Sequence, residues 1–94
     1  MSVMSGIAAV IVKIMPESPD INLEEIKESV KERLQPEGAQ NISFEEKSIA
    51  FGLKAVFVKF AWPEDKDTSI FEEKLSEIEG VSSVDTEDYR RAFG

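Results

Sequence analysis

The sequence predicts an α+β domain in which two helices cover one face of a four-stranded antiparallel sheet. Four segments are rich in β-branched and aromatic residues, two segments carry apolar residues at helical spacing, and proline or glycine separates most of them. These segments follow one another in the order strand, helix, strand, strand, helix, strand. The chain has 94 residues, of which 41% are hydrophobic, so we expect a single domain with one core over residues 1–94.

The first strand is predicted from Gly6 to Met15, because nearly every residue there is β-branched or small and Lys13 carries the only charge. Pro16 and Pro19 then end the strand, since proline lacks the N–H group that a sheet requires. We therefore expect this strand to be buried over most of its length.

A helix of about three turns is predicted after this strand. Asn22 and Glu25 have the spacing of a capping pair, and Pro36 and Gly38 mark the end of the helix. Between these signals, apolar residues recur at helical spacing with Glu and Lys among them: Leu23, Ile26, Val30 and Leu34.

Two further strands are predicted in the middle of the chain, from Asn41 to Ile49 and from Leu53 to Trp62. The first alternates apolar with polar residues, and the second is rich in Val and Phe. The second set of alternating residues on the latter strand is also partly apolar: Leu53, Ala55 and Phe57. The uncovered face of the sheet is therefore either a partner-binding surface or a solvated surface with a few apolar residues.

A second helix and a last strand complete the pattern. After an acidic loop that begins at Pro63, Thr68 or Ser69 is predicted to cap a helix that ends before Gly80. Its apolar residues again follow helical spacing: Phe71, Leu75 and Ile78. The last strand is predicted from Val81 to about Tyr89. This order of elements is that of a ferredoxin-like βαββαβ sandwich with two right-handed crossovers.

The composition excludes several classes of activity. The chain has no cysteine and no histidine, which excludes thiol nucleophiles, disulfides, Cys/His zinc sites and an imidazole general base. Its formal charge of −8 repels phosphate backbones, so direct binding of nucleic acid is not expected, although the same charge can serve solubility alone. The longest apolar stretch, Gly6 to Val12, is far shorter than the roughly 20 residues of a membrane span. We expect a cytoplasmic monomer that needs no metal and no cofactor.

Phe51 is the first candidate functional residue, because it lies in the connection between two predicted strands, where polar residues are usual. Ile49 and Gly52 flank it closely. An aromatic residue in this position is either an exposed anchor for a partner or a core residue that folds back under the edge of the sheet.

The carboxyl end is the second candidate, because two of the three arginines, Arg90 and Arg91, lie there together beside aromatic residues. These arginines either contact a partner or serve solubility in a frayed tail. A third alternative is that the tail packs down through Phe93 and the arginines pair with local acids such as Glu87 and Asp88. If the last strand ends near Tyr89, the residues beyond it can extend well away from the sheet.

Three segments of the sequence match a known family in the same order: Lys13 to Ser18, Ile49 to Lys54, and Ile78 to Val84. Over nearly its whole length the chain resembles the short archaeal form of the elongation factor 1-beta family. Members of this family are guanine nucleotide exchange factors with a ferredoxin-like fold. The resemblance therefore implies the fold that the order of elements also predicts.

The resemblance further implies binding to the GTPase elongation factor 1-alpha, in its GDP-bound or nucleotide-free form, so that GDP leaves and GTP enters during translation elongation. A factor of this kind has no catalytic chemistry of its own. In eukaryotic members, the phenylalanine that matches Phe51 enters a pocket of the partner. A lysine near the carboxyl end reaches the partner's magnesium and phosphate region, and Arg91 stands at the matching position here. The partner-binding residues implied in this way are Ile49, Phe51, Gly52, Arg90 and Arg91.

The sequence departs from the eukaryotic pattern at its end, where arginine replaces lysine and Ala92, Phe93 and Gly94 follow. A planar guanidinium suits phosphate or carboxylate oxygens, whereas an ammonium resembles a metal cation more closely. The action of this end is therefore a separate question from the fold.

Other functions of this fold agree less well with the sequence. A small acyl-phosphate hydrolase needs a cradle of backbone N–H groups after the first strand, where Pro16 and Pro19 remove donors. An RNA-binding sheet with stacked aromatics, such as Phe44, Phe57 and Phe60, conflicts with the charge of −8. The alternative that stays open is a ferredoxin-like binding or regulatory domain with another protein partner.

Overall fold

A computed structural model describes residues 6–92, and these residues form the predicted order of elements. The fold is a four-stranded antiparallel sheet with two helices packed on one face, which confirms the predicted α+β class. Short 3₁₀ turns occupy Gln35–Glu37 and Ala50–Gly52. The bounds of the strands and helices are β1 Ile7–Pro16, α1 Leu23–Leu34, β2 Gln40–Ser48, β3 Lys54–Pro63, α2 Thr68–Ser76 and β4 Val81–Ala92.

The sheet has the strand order β2-β3-β1-β4, and each neighbouring pair is antiparallel. β1 is a central strand, in which Val10 lies opposite Phe60 of β3 and Tyr89 of β4. Because side chains alternate along a strand, one set faces the helices and the other set faces away from them. The face of the sheet that points away from the helices is called the open face below.

The core lies between the sheet and the helices. Three aromatic side chains at its centre, Phe60, Trp62 and Phe71, pack edge to face with ring centroids 5.0 Å to 6.0 Å apart. Alternate residues of β1 and β3 are buried there: Ala8, Val10, Val12, Ile14, Val56 and Val58. They pack against buried residues of both helices: Ile26, Val30, Leu34 and Leu75. This packing holds the strands whose ends carry the candidate functional residues.

Each helix begins at a side-chain cap. The Asn22 side chain accepts a hydrogen bond from the Glu24 N–H at 2.9 Å, which confirms the predicted start of α1. The cap of α2 is Asp67, whose carboxylate accepts from the Ser69 N–H at 3.0 Å, so the prediction of Thr68 or Ser69 as the cap is wrong. Aspartate is at least as good a cap as serine or threonine, and it comes first in the chain. Within residues 6–92, no helix is long and apolar enough to cross a membrane.

The last strand is longer than predicted, because β4 continues to Ala92 instead of ending near Tyr89. Arg90 and Arg91 pair with Ala9 and Ala8 of β1, so both arginines are strand residues and do not belong to a projecting tail. The charges of this segment resemble those of a loop, but charged side chains are usual on an edge strand, which β4 is. The remaining residues of the predicted tail, Phe93 and Gly94, lie outside the described residues.

Candidate partner-binding site

The β2–β3 hairpin presents Phe51 to solvent at one end of the sheet. Phe51 is 92% exposed, so the interpretation that it folds back into the core is wrong. Exposing a large aromatic side chain to water is unfavourable, because burial of its apolar surface would lower the free energy. An isolated phenylalanine held in this way is suited to enter an apolar pocket of another molecule.

The backbone at Phe51 is also strained. Its φ and ψ angles are 61° and 31°, in the left-handed region, and Gly52 follows with a φ of 74°. This conformation costs a residue other than glycine about 1–2 kcal/mol, and such outliers persist where the surrounding structure imposes them. The hairpin therefore holds Phe51 in a position that an unconstrained chain would avoid.

Ile49 and Gly52 form the frame of this loop. The Ile49 N–H donates to the Leu53 carbonyl at 2.9 Å, and the Leu53 N–H donates to the Ala50 carbonyl at 3.2 Å. A Cβ atom at Gly52 would meet no other atom within 4 Å, so glycine is needed there for its backbone freedom and not for space. The structure thus brings three of the five predicted site residues together in one loop: Ile49, Phe51 and Gly52.

The hairpin is tied to the helical layer by an ion pair that no pattern in the sequence predicts. Lys27 Nζ of α1 lies 2.6 Å from Glu46 Oε2 of β2, close to the end of the strand that leads to Phe51. The hydrogen bond with Glu46 raises the pKa of Lys27 above its usual 10.5. The same bond lowers the pKa of the Glu46 carboxyl below its usual 4.5. The pair therefore stays charged over a wide range of pH.

Arg90 and Arg91 lie at the other end of the sheet, with their side chains on opposite faces of β4. The Arg90 Nε atom lies 3.0 Å from Asp88 Oδ2, as the predicted pairing with local acids requires. Arg91 instead approaches Glu64 in the loop after β3, with 3.9 Å between Nε and Oε2. Both guanidinium groups are about four-fifths exposed, so each ion pair is worth roughly 0–1 kcal/mol and can be exchanged for a partner's anion.

The two groups of candidate residues are far apart. Lys54 adjoins the Phe51 loop, whereas Trp62 and Arg91 both lie opposite Ala8. At about 3.3 Å per strand residue, the stretch of β3 from Lys54 to Trp62 is roughly 26 Å long. The predicted site residues are therefore not one cluster but two, at opposite ends of the sheet. Within residues 6–92, no group of three acidic side chains is arranged to hold a metal ion.

The described residues form a small ferredoxin-like α+β domain with two exposed groups of candidate residues at opposite ends of its sheet. Comparison with known families gives the class: residues 9–92 match the EF-1 guanine nucleotide exchange domain. The chain belongs to this family, which confirms the resemblance and the predicted function in guanine nucleotide exchange during translation elongation.

Curated relatives of the chain include archaeal proteins named elongation factor 1-beta. The chain is 44% identical to that of Methanothermobacter thermautotrophicus over 81 residues, which are 85% of this chain and 90% of the relative. It is 42% identical to that of Sulfolobus acidocaldarius over 78 residues, 81% of this chain and 86% of the relative. It is 37% identical to that of Halorubrum lacusprofundi over 87 residues, which are 92% of this chain and 98% of the relative. The match thus covers nearly all of the relatives' length.

Proposed function

We propose that this chain binds elongation factor 1-alpha at both ends of its sheet and speeds the release of GDP so that GTP can enter. The observation that carries the proposal is the strained and exposed Phe51, held by the hairpin at one end. Family membership supplies the class of partner, a GTPase of translation elongation. The two ends contact regions of the partner that lie roughly 26 Å apart, the length of β3 between them.

Phe51 is the binding anchor in this proposal. Aromatic residues that fill a partner pocket are typical interface hot spots, and their truncation commonly costs roughly 2 kcal/mol or more of binding free energy. Because the hairpin fixes its backbone, little conformational freedom is lost when Phe51 enters the pocket. The end of the domain that carries Phe51 therefore contributes affinity.

Arg91 is the residue that acts on the nucleotide site of the partner. Its backbone is fixed by pairing with Ala8, and its guanidinium is exposed and only weakly held by Glu64. A guanidinium can bind phosphate or carboxylate oxygens with two hydrogen bonds, so it can compete for the groups that hold magnesium and GDP. Arg90, on the open face, contacts the partner beside it.

The binding of the factor and the binding of nucleotide to the GTPase are thermodynamically coupled. A factor that weakens nucleotide binding must itself bind less tightly when nucleotide is present, by the same ratio. Each tenfold gain in the rate of GDP release requires a barrier lower by about 1.4 kcal/mol. The chain acts as a monomer in the cytoplasm and carries out no hydrolysis, and its lack of cysteine and histidine supports the last point.

The test is a release assay with purified elongation factor 1-alpha that carries a fluorescent GDP. Substoichiometric amounts of this chain should speed the release, because one molecule of the factor serves many GTPase molecules in turn. The chain alone should hydrolyse neither GTP nor ATP. Hydrolysis without a partner, or an unchanged rate of release with excess factor, contradicts the proposal.

A further inference from the structure

The open face of the sheet carries an apolar trough that neither end of the proposed interface includes. The trough has a volume of about 360 Å³ and crosses from β1 to β3. Four of its lining side chains on this face are apolar, and one amide and one lysine border them: Ile7, Ala9, Ile11, Ala61, Asn41 and Lys59. Ile7 is 42% exposed and Ala9 is also exposed, so no part of the described chain covers this surface.

The charge of the open face differs from that of the chain as a whole. Strand alternation places four basic side chains on it, Lys13, Lys47, Lys59 and Arg90, against three acidic ones, Glu45, Asp85 and Asp88. A further acid, Glu87, lies at a bulge in β4. The open face is thus close to neutral, and the surplus of acid behind the net charge of −8 lies elsewhere on the molecule.

The ion pairs found among residues 6–92 do not include the lysines of this face. Among residues 6–92, Lys13 and Lys59 form no ion pair, although most basic side chains elsewhere do. Lys47 lies over the ring of Phe57, with its Nζ atom 4.8 Å from the ring centroid, and pairs with no carboxylate in this part of the chain. The trough is therefore an apolar surface flanked by cations that are available to external carboxylates.

The trough is continuous with the arginine end of the proposed interface. Arg90 lies directly opposite Ala9 on the open face, and Asp88 lies opposite Ile11. Opposite residues of antiparallel strands have Cα atoms only about 4.5–5.5 Å apart. A partner that contacts Arg90 therefore also meets the wall of the trough.

We infer that the trough is a docking surface for elongation factor 1-alpha, and that the part of the GTPase bound there presents apolar side chains flanked by carboxylates. This inference rests on the proposed function and adds a third contact region to it. The unpaired lysines indicate a partner with acidic groups, and the apolar floor indicates a protein surface. Nucleic acid is disfavoured, because its phosphates meet a chain of net charge −8 and the aromatic residue that lines the trough, Phe60, is buried in the core and offers no platform for bases.

The experiment compares three variants in a titration with nucleotide-free elongation factor 1-alpha, followed by GDP release at saturating factor. Lys59→Glu reverses a charge beside the trough, and Ala9→Asp places a carboxylate within it. Lys31→Glu is the matched control, because Lys31 is an exposed lysine without an ion pair in the described residues but lies on α1. Lys59 is likewise exposed, so its replacement leaves the core intact.

Lys59→Glu and Ala9→Asp should each raise the Kd of the complex about tenfold or more, as for a contact within a binding interface. The rate of GDP release at saturation should stay within about twofold of wild type, because the trough binds without acting on the nucleotide. Lys31→Glu should change neither quantity.

Two results would overturn the inference while leaving the exchange function intact. In the first, the wild-type chain speeds GDP release, but Lys59→Glu binds the GTPase with the same Kd as Lys31→Glu. The second is a dimer of the wild-type chain in sedimentation that Lys59→Glu dissociates with unchanged affinity for the GTPase, which assigns the trough to a second copy. A wild-type chain that neither binds the GTPase nor speeds GDP release refutes the proposed function itself, and the docking surface with it.

Discussion

The two ends of the sheet hold their candidate residues in opposite ways. At the hairpin end the backbone of Phe51 is strained and its side chain is 92% exposed. At the other end the backbone of Arg91 is regular strand, and its side chain lies near the Glu64 carboxylate. The hairpin holds Phe51 in a fixed, exposed position before any partner binds. The Arg91 guanidinium is held only weakly by Glu64, so a stronger anion can replace this carboxylate. We infer that the hairpin end determines affinity and the arginine end determines the rate of release.

The largest expected effect is a loss of affinity on truncation of Phe51, in contrast to a loss of stability on truncation of a core phenylalanine. Phe51→Ala should weaken binding to elongation factor 1-alpha by roughly 2 kcal/mol or more, which is about 30-fold in Kd. Its melting temperature should stay close to that of wild type, since the side chain contacts no core. Phe71→Ala, at a fully buried position, should instead cost about 3–5 kcal/mol of stability. A large loss of stability in Phe51→Ala would show that the side chain supports the fold.

The next effect tests the arginine end at saturating factor, where affinity no longer limits the rate. Arg91→Ala should slow GDP release about tenfold, equivalent to about 1.4 kcal/mol of barrier, with little change in Kd. Arg91→Lys should retain much of the activity, because the positive charge remains. Arg33→Ala is the matched control, since Arg33 is the third arginine and lies on α1 beside Glu77. Wild-type release by Arg91→Ala would assign exchange to the hairpin end alone.

The fold was predictable because its signals are periodic and local. Apolar residues three or four apart in α1 are buried as their spacing requires. The strand β1 is found where its β-branched residues predict it, but it is fully buried only at alternate residues and not over most of its length, because the open face leaves Ile7 and Ala9 exposed. The end of β4 was not predictable in the same way, because the charges of Asp88, Arg90 and Arg91 resemble those of a loop and their pairing with β1 is a long-range property. Periodicity describes which face a residue occupies, but it does not describe where an edge strand stops.

The candidate residues stand out in the sequence, whereas their geometry does not. Phe51 stands out in the sequence as an aromatic residue beside glycine, yet its positive φ does not, because Gly52 is the residue expected to adopt that conformation. The partner of Arg91 is Glu64, 27 positions earlier in the chain, and it becomes a neighbour only through the strand register. The Lys27–Glu46 pair depends in the same way on the packing of α1 over β2.

A smaller effect measures the free-energy cost of the left-handed backbone conformation at Phe51. Asparagine tolerates the left-handed conformation far better than phenylalanine does, so Phe51→Asn should stabilise the domain by up to about 1 kcal/mol. For a domain of this size that corresponds to a rise in melting temperature of roughly 4–8 °C. The same variant should bind the GTPase as weakly as Phe51→Ala. Equal melting temperatures of Phe51→Asn and Phe51→Ala would show that the backbone there is relaxed in solution.

The smallest effect concerns the ion pair that ties the hairpin to α1, and it depends on pH. Because the pKa of Glu46 is lowered in the folded state, its stabilising contribution is complete above the usual value of 4.5 and is lost as the pH falls through the folded pKa. Because the pKa of Lys27 is raised, its contribution is complete below 10.5 and is lost as the pH rises through the folded pKa. The pair should therefore stabilise the hairpin end evenly between these limits.

Urea unfolding followed by the fluorescence of Trp62, the single tryptophan, measures this contribution directly. Glu46→Gln should lower the unfolding midpoint slightly at neutral pH and should make its decline below pH 4.5 less steep, since one group that takes up a proton on unfolding is gone. Glu37→Gln is the matched control, because Lys66 lowers the pKa of Glu37 in the same direction but this pair lies away from the Phe51 loop. Both variants should therefore change acid stability in the same direction, while Glu46→Gln alone should reduce affinity for the GTPase. Equal affinities of the two variants would mean that the Phe51 loop holds its conformation without a tie to α1, through the backbone hydrogen bonds of Ile49 and Leu53 alone.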